Sequence, residues 1–165
     1  RPESLRLLTD AARAAGDHVA AYDAYLHLLD VTTGGLEDLM DAGSLGLDPA
    51  LRTERSAAVT VCEAWLMRAL EVDPQRTRAH ITLGTYSVIA GDDDAAAQHL
   101  TRACETDPAC VEALLDLAEV QLQRAELEAA RALLDQAREL TEDADSRTRL
   151  SILLLRAEEL RGQGD

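Results

Sequence analysis

Asp92, Asp93 and Asp94 are three consecutive aspartates whose type and spacing raise the question of a functional site. Clustered carboxylates can bind a divalent cation. Successive helical residues point about 100° apart, however, so three in a row cannot all ligate one ion, and no EF-hand spacing is present. The sequence favours a helix start, with Asp92 as the N-cap and the other two aspartates opposing the positive end of the helix dipole.

Histidine and cysteine supply the other candidate ligands and nucleophiles, at His18, His27, His80, His99, Cys62, Cys104 and Cys110. The cysteines form no CxxC pair, which favours buried small residues in a reducing compartment. His80, His99 and Cys104 are expected to point from different helix faces. The sequence contains no nucleophile elbow, no phosphate-binding glycine loop and no zinc-ligand spacing. We therefore expect no enzyme activity, no metal and no cofactor.

The composition indicates that helices position these residues. The chain has 165 residues, of which 47% are apolar, but it contains one Trp, three Tyr and no Phe. A core of this composition consists mainly of Leu and Ala, which suits closely packed helices better than a sheet. The length fits one domain, 1–165, that can bury a sizeable core. The predicted fold class is all-α.

The charge of the chain restricts its partners. Acidic residues number 31 and basic residues 16, which gives a net charge of −15, and every cation is Arg. Such a surface repels phosphate backbones and anionic lipid, so we expect neither a nucleic acid nor a membrane as partner. The sequence shows no signal peptide and no apolar run long enough to span a bilayer. The expected location is cytoplasmic.

Similar residues recur at a period of 34 along the chain. Three columns keep this step: Cys62, Ala96 and Ala130; Leu66, Leu100 and Leu134; and Ala69, Ala103 and Ala137. A fixed period of this length is typical of stacked helix pairs. In the clearest unit the first helix stops at Gly91 and the second closes at Asp107-Pro108. The alanine columns are expected where helices approach closely.

The unit from Thr77 to Cys110 resembles a tetratricopeptide repeat, whose pattern is W-x2-L-G-x2-Y, then A-x3-F, A and P. The matching residues are His80 in the Trp place, Leu83-Gly84, Ser87 in the Tyr place, Ala96-x3-Leu100, Ala103 and Pro108. The next unit, Val111 to Ala144, matches with Leu114, Leu117-Ala118, Ala130-x3-Leu134 and Ala137, and has Glu142 in place of the closing proline.

This resemblance implies a right-handed superhelix, a solenoid of about four helix pairs followed by a C-terminal helix. The approximate units are 2–35, 36–76, 77–110 and 111–144, with the terminal helix over 145–161. From Ala21 to Cys62 is 41 residues, seven more than the period. In that second unit we predict a short helix over 36–42, a loop, and a long helix from Pro49 to Glu71 with Asp48 as its N-cap.

The resemblance also implies that the first helix of each pair lines a concave groove. The candidate groove residues are Arg78, Ile81, Thr85, Val88, Glu112, Leu115, Asp116, Glu119, Leu122, Arg149, Leu153 and Arg156. The carboxylate clamp of some family members needs Lys and Asn, and this chain has no Lys. Glu112, Asp116 and Glu119 suit a partner with a basic or amphipathic segment. The alternative is that they are only solvated acids.

The terminal helix has apolar residues on more than one side. One side of Leu150 to Leu155 can pack on the preceding helix pair, while Ile152, Leu154 and Leu155 would be left uncovered. We predict that these three residues form a homodimer interface or pack against a further repeat that is missing from this sequence. The alternative is that this helix lies flat in a groove of its own solenoid.

The predicted function is a non-catalytic protein–protein interaction module that binds a peptide or helix, as an adaptor, scaffold or assembly chaperone does. The alternative is a regulatory or oligomerisation domain of a larger bacterial transcription regulator or secretion component. The chain begins with Arg rather than with an initiator Met, which favours the alternative slightly.

Overall fold

The computed structural model describes residues 2–32 and 34–162. These residues form ten α-helices and one short 3-10 helix, with no strand among them, so the predicted all-α class is confirmed. The contacts divide the chain into two compact units, Arg1–Pro74 and Gln75–Asp165. The assignment to a single domain stays a prediction.

The first unit contains five α-helices and the 3-10 helix. They are α1 (Pro2–Ala14), α2 (His18–Val31), α3 (Leu36–Ser44), the 3-10 helix (Leu45–Leu47), α4 (Pro49–Glu54) and α5 (Ala58–Val72). Helix α1 pairs with α2, and α3 pairs with α5. The rings of Tyr22 and Trp65 meet with centroids 5.6 Å apart, which ties α2 to α5.

The predicted long helix from Pro49 to Glu71 is wrong, because the chain breaks between α4 and α5. Its start is as predicted, since Asp48 Oδ1 accepts hydrogen bonds from the backbone N–H groups of Ala50 and Leu51. Helix α4 packs on α2 and α5 packs on α3, while both contact the 3-10 helix between α3 and α4. At the break, the Arg55 guanidinium pairs with the Asp23 carboxylate of α2 at 2.8 Å.

The seven additional residues of this unit lie between α3 and α5. A Cβ added to Gly43 of α3 would overlap the Leu66 side chain of α5. The same contact recurs in the second unit, where a Cβ on Gly84 would lie 2.6 Å from Leu100 Cγ. Gly43 and Gly84 are 41 residues apart, but their leucine partners are only 34 apart. The 3-10 helix and α4 therefore occupy the insertion, and the helix pair keeps its contact.

The second unit is a regular array of five helices. They are α6 (Thr77–Ala90), α7 (Asp93–Thr106), α8 (Val111–Gln123), α9 (Leu127–Leu140) and α10 (Ala144–Gly162). The predicted helix start at the three aspartates is confirmed: Gly91 ends α6 in the left-handed region with φ 77°, and the Asp92 side chain accepts a hydrogen bond from Ala95 N. Asp93 and Asp94 lie in the first turn of α7.

The alanine columns lie in the core of this array. Ala96, Ala103, Ala130 and Ala137 are all 0% exposed, as the period predicted. Leu150, Leu153 and Ala157 of α10 are also buried, and they join the cluster that contains Ala130, Leu134 and Ala137. One side of the terminal helix therefore packs on the preceding helix pair.

We predict that Gly84→Ala lowers the free energy of unfolding by about 1–3 kcal/mol, because the added methyl group overlaps the Leu100 side chain. Urea denaturation followed by circular dichroism measures this loss. Gly162→Ala is the control, since a Cβ there meets no atom within 4 Å, and its unfolding midpoint should not fall.

A double-mutant cycle tests whether the loss comes from this contact. Leu100→Ala alone should cost about 2–5 kcal/mol by opening a cavity. In the double variant the Leu100 side chain no longer opposes the new methyl group, so the combined loss should be smaller than the sum of the single losses. Strictly additive losses would contradict the proposed overlap.

Candidate functional site

The twelve predicted groove residues all lie on three helices of the second unit, α6, α8 and α10. Helix α8 contacts both α6 and α10, so these residues are brought together. Four of the twelve are buried in the core rather than exposed, namely Ile81, Leu115, Leu122 and Leu153. These four side chains fill the contacts between helices and therefore do not belong to an exposed groove surface.

A cavity of about 140 Å³ lies beside α8 and is called the α8 cavity here. It is lined by Thr85, Val88, Leu100, Asp116, Glu119, Val120, Gln123 and Arg149. Five of these residues were predicted for the groove, and Leu100, Val120 and Gln123 were not. Val120 and Gln123 follow Asp116 and Glu119 by one helical turn, so the four-residue spacing of a helix face could have found both of them.

One guanidinium joins the two carboxylates of the α8 cavity. Arg149 Nη1 lies 2.6 Å from Asp116 Oδ1, and Arg149 Nη2 lies 2.8 Å from Glu119 Oε2. The two acids are three residues apart on α8 and therefore share a face, while the arginine comes from α10. The Asp116 side chain is only 17% exposed, against 39% for Arg149. Each carboxylate meets the arginine through one oxygen in these contacts.

Burial and neighbouring charges set the ionisation of this group. Burial raises the pKa of Asp116, and the charges of Glu112 and Glu119 add to this, while Arg149 acts in the opposite direction. Burial disfavours the charged form of Arg149, but the hydrogen bond to Glu119 and the charge of Asp116 outweigh it, so the pKa of Arg149 is raised. Asp116 is thus a largely buried carboxylate and differs from a solvated surface acid.

His80 and His99 contact each other, which corrects the expectation that they point from different helix faces. Their ring centroids are 5.9 Å apart. The two residues lie on α6 and α7, which pack as a pair, so facing sides of the two helices bring the rings together. Burial, and then the charge of His80, lowers the pKa of His99. A protonated pair is therefore disfavoured in the folded chain.

No disulfide joins the three cysteines, of which Cys62 is buried and the other two are partly buried. Burial raises the pKa of Cys104 to about 11, so this thiol stays protonated near neutral pH and is a poor nucleophile. Across residues 2–32 and 34–162, the structure brings together no group of three or more side chains that could hold a metal ion. No helix within these ranges has the length and apolar character to span a bilayer.

The remaining predicted residues lie at the surface. Arg78, Glu112 and Arg156 are exposed on α6, α8 and α10. On α10, Ile152 is 59% exposed and Leu155 is 61% exposed. Leu154 is partly buried and packs against the core cluster of α8, α9 and α10. Of the three residues predicted for the oligomer interface, Ile152 and Leu155 are therefore exposed.

Comparisons with known proteins confirm the resemblance seen in the sequence. Residues 88–158 match the family model described as tetratricopeptide repeat. Curated proteins give no match. The crystal structure of MamA protein superposes with a TM-score of 0.78 at 18% identity, over 98% of this chain and 85% of that chain.

Two further solved structures show the same fold. TTC0263, a thermophilic TPR protein of Thermus thermophilus, gives a TM-score of 0.73 at 24% identity, over 94% of this chain and 82% of that chain. YrrB, a TPR protein with an unusual peptide-binding site, gives 0.70 at 18% identity, over 92% of this chain and 71% of that chain. At identities of 18% to 24% the similarity shows the fold alone, which is a helical repeat of the tetratricopeptide type.

We predict that Arg149→Met lowers the free energy of unfolding at neutral pH by about 1–2 kcal/mol. Methionine keeps an apolar stem but leaves Asp116 and Glu119 as neighbouring carboxylates with no cation between them. The loss should be smaller than the roughly 3–5 kcal/mol of a fully buried pair, because Arg149 is 39% exposed. Urea denaturation measures it.

The pH dependence of this loss identifies its cause. The pKa of Asp116 is raised on folding, so the stability that it contributes is complete below its unfolded pKa and is lost as the pH rises through its folded pKa. Arg149→Met removes the group that lowers this pKa, so the loss should be large near pH 7 and shrink towards about pH 4. The control is Arg102→Met, whose pair with Glu105 is exposed; equal losses in the two variants, at both pH values, would contradict the prediction.

Proposed function

We propose that this chain, whose residues 88–158 match the tetratricopeptide repeat, is a non-catalytic interaction module that binds a peptide or helix of another protein on the surface of α6, α8 and α10. The observation that carries this proposal is the α8 cavity, which opens beside two carboxylates on one helix face. The similarity in fold to YrrB, which has a peptide-binding site, supports it. An adaptor, scaffold or assembly chaperone works through such a surface.

The charges of this surface favour a partner with a basic or amphipathic segment. Glu112, Asp116 and Glu119 contribute three carboxylates, and Arg149 is the cation that contacts two of them. The charge of Glu112 also acts on Asp116, so the three acids form one local field. The exposed Arg78 and Arg156 lie on the neighbouring helices α6 and α10, so the negative field is confined to α8, where it attracts a basic segment and disfavours an acidic one.

The exposed apolar residues of α10 support a second proposal, an oligomerisation role within a larger bacterial regulator or secretion component. Ile152 and Leu155 are exposed to solvent on α10, whose opposite side is buried. Apolar residues that form a contiguous exposed patch mark an interaction site, and Ile152 and Leu155 lie three residues apart on one face of α10. A second copy of the chain would cover them in a homodimer.

A reducing compartment such as the cytoplasm fits both proposals. Cys62, Cys104 and Cys110 form no disulfide with one another. Cysteines outside disulfides are typical of compartments where glutathione and thioredoxin keep thiols reduced. We therefore propose a cytoplasmic location.

We predict that Glu112→Arg weakens binding of the partner about tenfold while leaving the helices intact. Glu112 is exposed, so reversing its charge changes the field without breaking an internal pair, whereas Glu119 holds Arg149. A change of about 1.4 kcal/mol in electrostatic attraction corresponds to this factor. Capture of the partner on the immobilised chain, with crosslinking to report the helix involved, identifies the partner and provides it for titration.

Glu128→Arg is the matched control, because it makes the same charge change at an exposed position of α9. It should leave binding unchanged, and raised salt should weaken binding by the wild type but have less effect on Glu112→Arg. Equal effects of the two substitutions, or crosslinks confined to α7 and α9, would contradict the proposed surface.

We predict that the chain self-associates and that Leu155→Glu returns it to a monomer. A carboxylate in place of an apolar side chain at the centre of an interface would be buried without a partner. Sedimentation equilibrium at high micromolar concentration measures the association. Ile89→Glu, which introduces the same charge at a half-exposed site on α6, should leave it unchanged.

The unfolding midpoint separates the interface from the alternative. Leu155→Glu should unfold at the same denaturant concentration as the wild type when both are measured at high dilution. A monomeric wild type, together with a variant that loses stability, would instead favour a helix packed only within its own chain.

A further inference from the structure

The volume of the α8 cavity limits what it can hold. At about 140 Å³ it is close to an engineered cavity of about 150 Å³ that binds one benzene molecule. A space of this size takes one long side chain and excludes a stretch of peptide backbone. The cavity is therefore suited to bind the side chain of a single residue of a bound segment.

The lining of the cavity indicates the chemistry of that residue. Val88, Leu100 and Val120 contribute apolar side chains, and Asp116 and Glu119 contribute carboxylates. A side chain with an apolar stem and a cationic end matches both parts, because the stem buries its methylene groups while the charge meets the acids. With Arg149 also in the lining, two carboxylates face one guanidinium, so one negative charge is left over. This excess disfavours an acidic side chain, and a purely apolar one gains no charge pairing.

The arrangement of Arg149 favours lysine over arginine as the occupant. Arg149 already places its planar fork across Asp116 and Glu119, with one nitrogen on each. A second guanidinium would have to fit its planar, five-donor fork beside that of Arg149 in a cavity of about 140 Å³. The lysine ammonium is a compact charge with three donors on a flexible stem, so it can approach a remaining carboxylate oxygen from the cavity side.

We propose that the α8 cavity is a specificity subsite for one lysine side chain of the partner. This inference rests on the proposed function, because it names the residue that the same surface accepts. These 165 residues contain no lysine, so neither their own segments nor a second copy of them can supply the occupant. The lysine that fills this subsite therefore lies outside these 165 residues.

Nuclear magnetic resonance titration of the full chain tests the subsite with two small probes. Nα-acetyl-lysine methylamide should produce saturable amide shifts at Thr85, Val88 and Gln123, with a dissociation constant on the order of millimolar, as suits one buried side chain. Nα-acetyl-norleucine methylamide has the apolar stem without the ammonium and should bind about tenfold more weakly. Absence of saturable shifts with the lysine probe, or equal binding of the two probes, would overturn the proposal.

Substitutions that fill the cavity provide the second arm. Thr85→Leu adds volume to the lining without changing a charge and should remove at least about nine-tenths of the probe affinity. Thr53→Leu is the matched control, since both hydroxyl groups donate to the carbonyl oxygen four residues earlier and Thr53 lies outside the cavity. Val88→Phe fills the same space from another position, and it replaces Thr85→Leu in this test if Thr85→Leu does not fold. Unchanged lysine binding in a folded cavity-filling variant would also overturn the subsite.

The outcomes separate this inference from the proposed function. If the lysine probe fails while capture of the partner still depends on Glu112, only the subsite is wrong. If the lysine probe binds in the cavity but the crosslinks of the captured partner lie elsewhere, the subsite stands as a side-chain site and the proposed partner surface is wrong.

Discussion

The close contact between a glycine and a leucine within a helix pair is the constraint on which the second unit depends. Gly84 lies so near Leu100 that even one methyl group would overlap it, and Ala96 and Ala103 on the same helix as Leu100 are fully buried. Leu100 also lines the α8 cavity. The residue that requires glycine on α6 therefore also forms part of the candidate binding site, and helix packing and site shape cannot vary independently.

Ion pairs between residues about one repeat apart recur along the chain. In the first unit Arg6 pairs with Asp38, 32 residues away, and Arg55 pairs with Asp23 at the same separation. In the second unit Arg124 pairs with Asp94, and Arg149 with Glu119, each 30 residues away. Single exposed pairs of this kind contribute little to stability. The pair at Arg149 differs because Asp116 is largely buried, so charge and packing act together there.

The sequence predicted the regular helices well and their side-chain neighbours poorly. Gly91, Asp92 and Asp107-Pro108 mark helix ends by local chemistry, and the structure has those ends. The break after Glu54 accompanies the packing of α4 on α2 and of α5 on α3, and these contacts join residues too far apart in sequence for a local pattern to record. The helical period also identified most of the α8 cavity. It could not show that Arg149 meets Asp116, because a period gives the face of a residue and not its partner.

The insertion between α3 and α5 shows that a helix pair can keep its internal contact where the sequence departs from the 34-residue period. Gly43 and Leu66 repeat the contact of Gly84 and Leu100 although seven more residues separate them. The entropic cost of closing a loop rises only slowly with its length, so a connection of this kind can become longer. The connection between the two helices of a pair is thus a position at which this repeat tolerates a change of length, provided that the inserted residues bury their own apolar side chains, as Leu51 does.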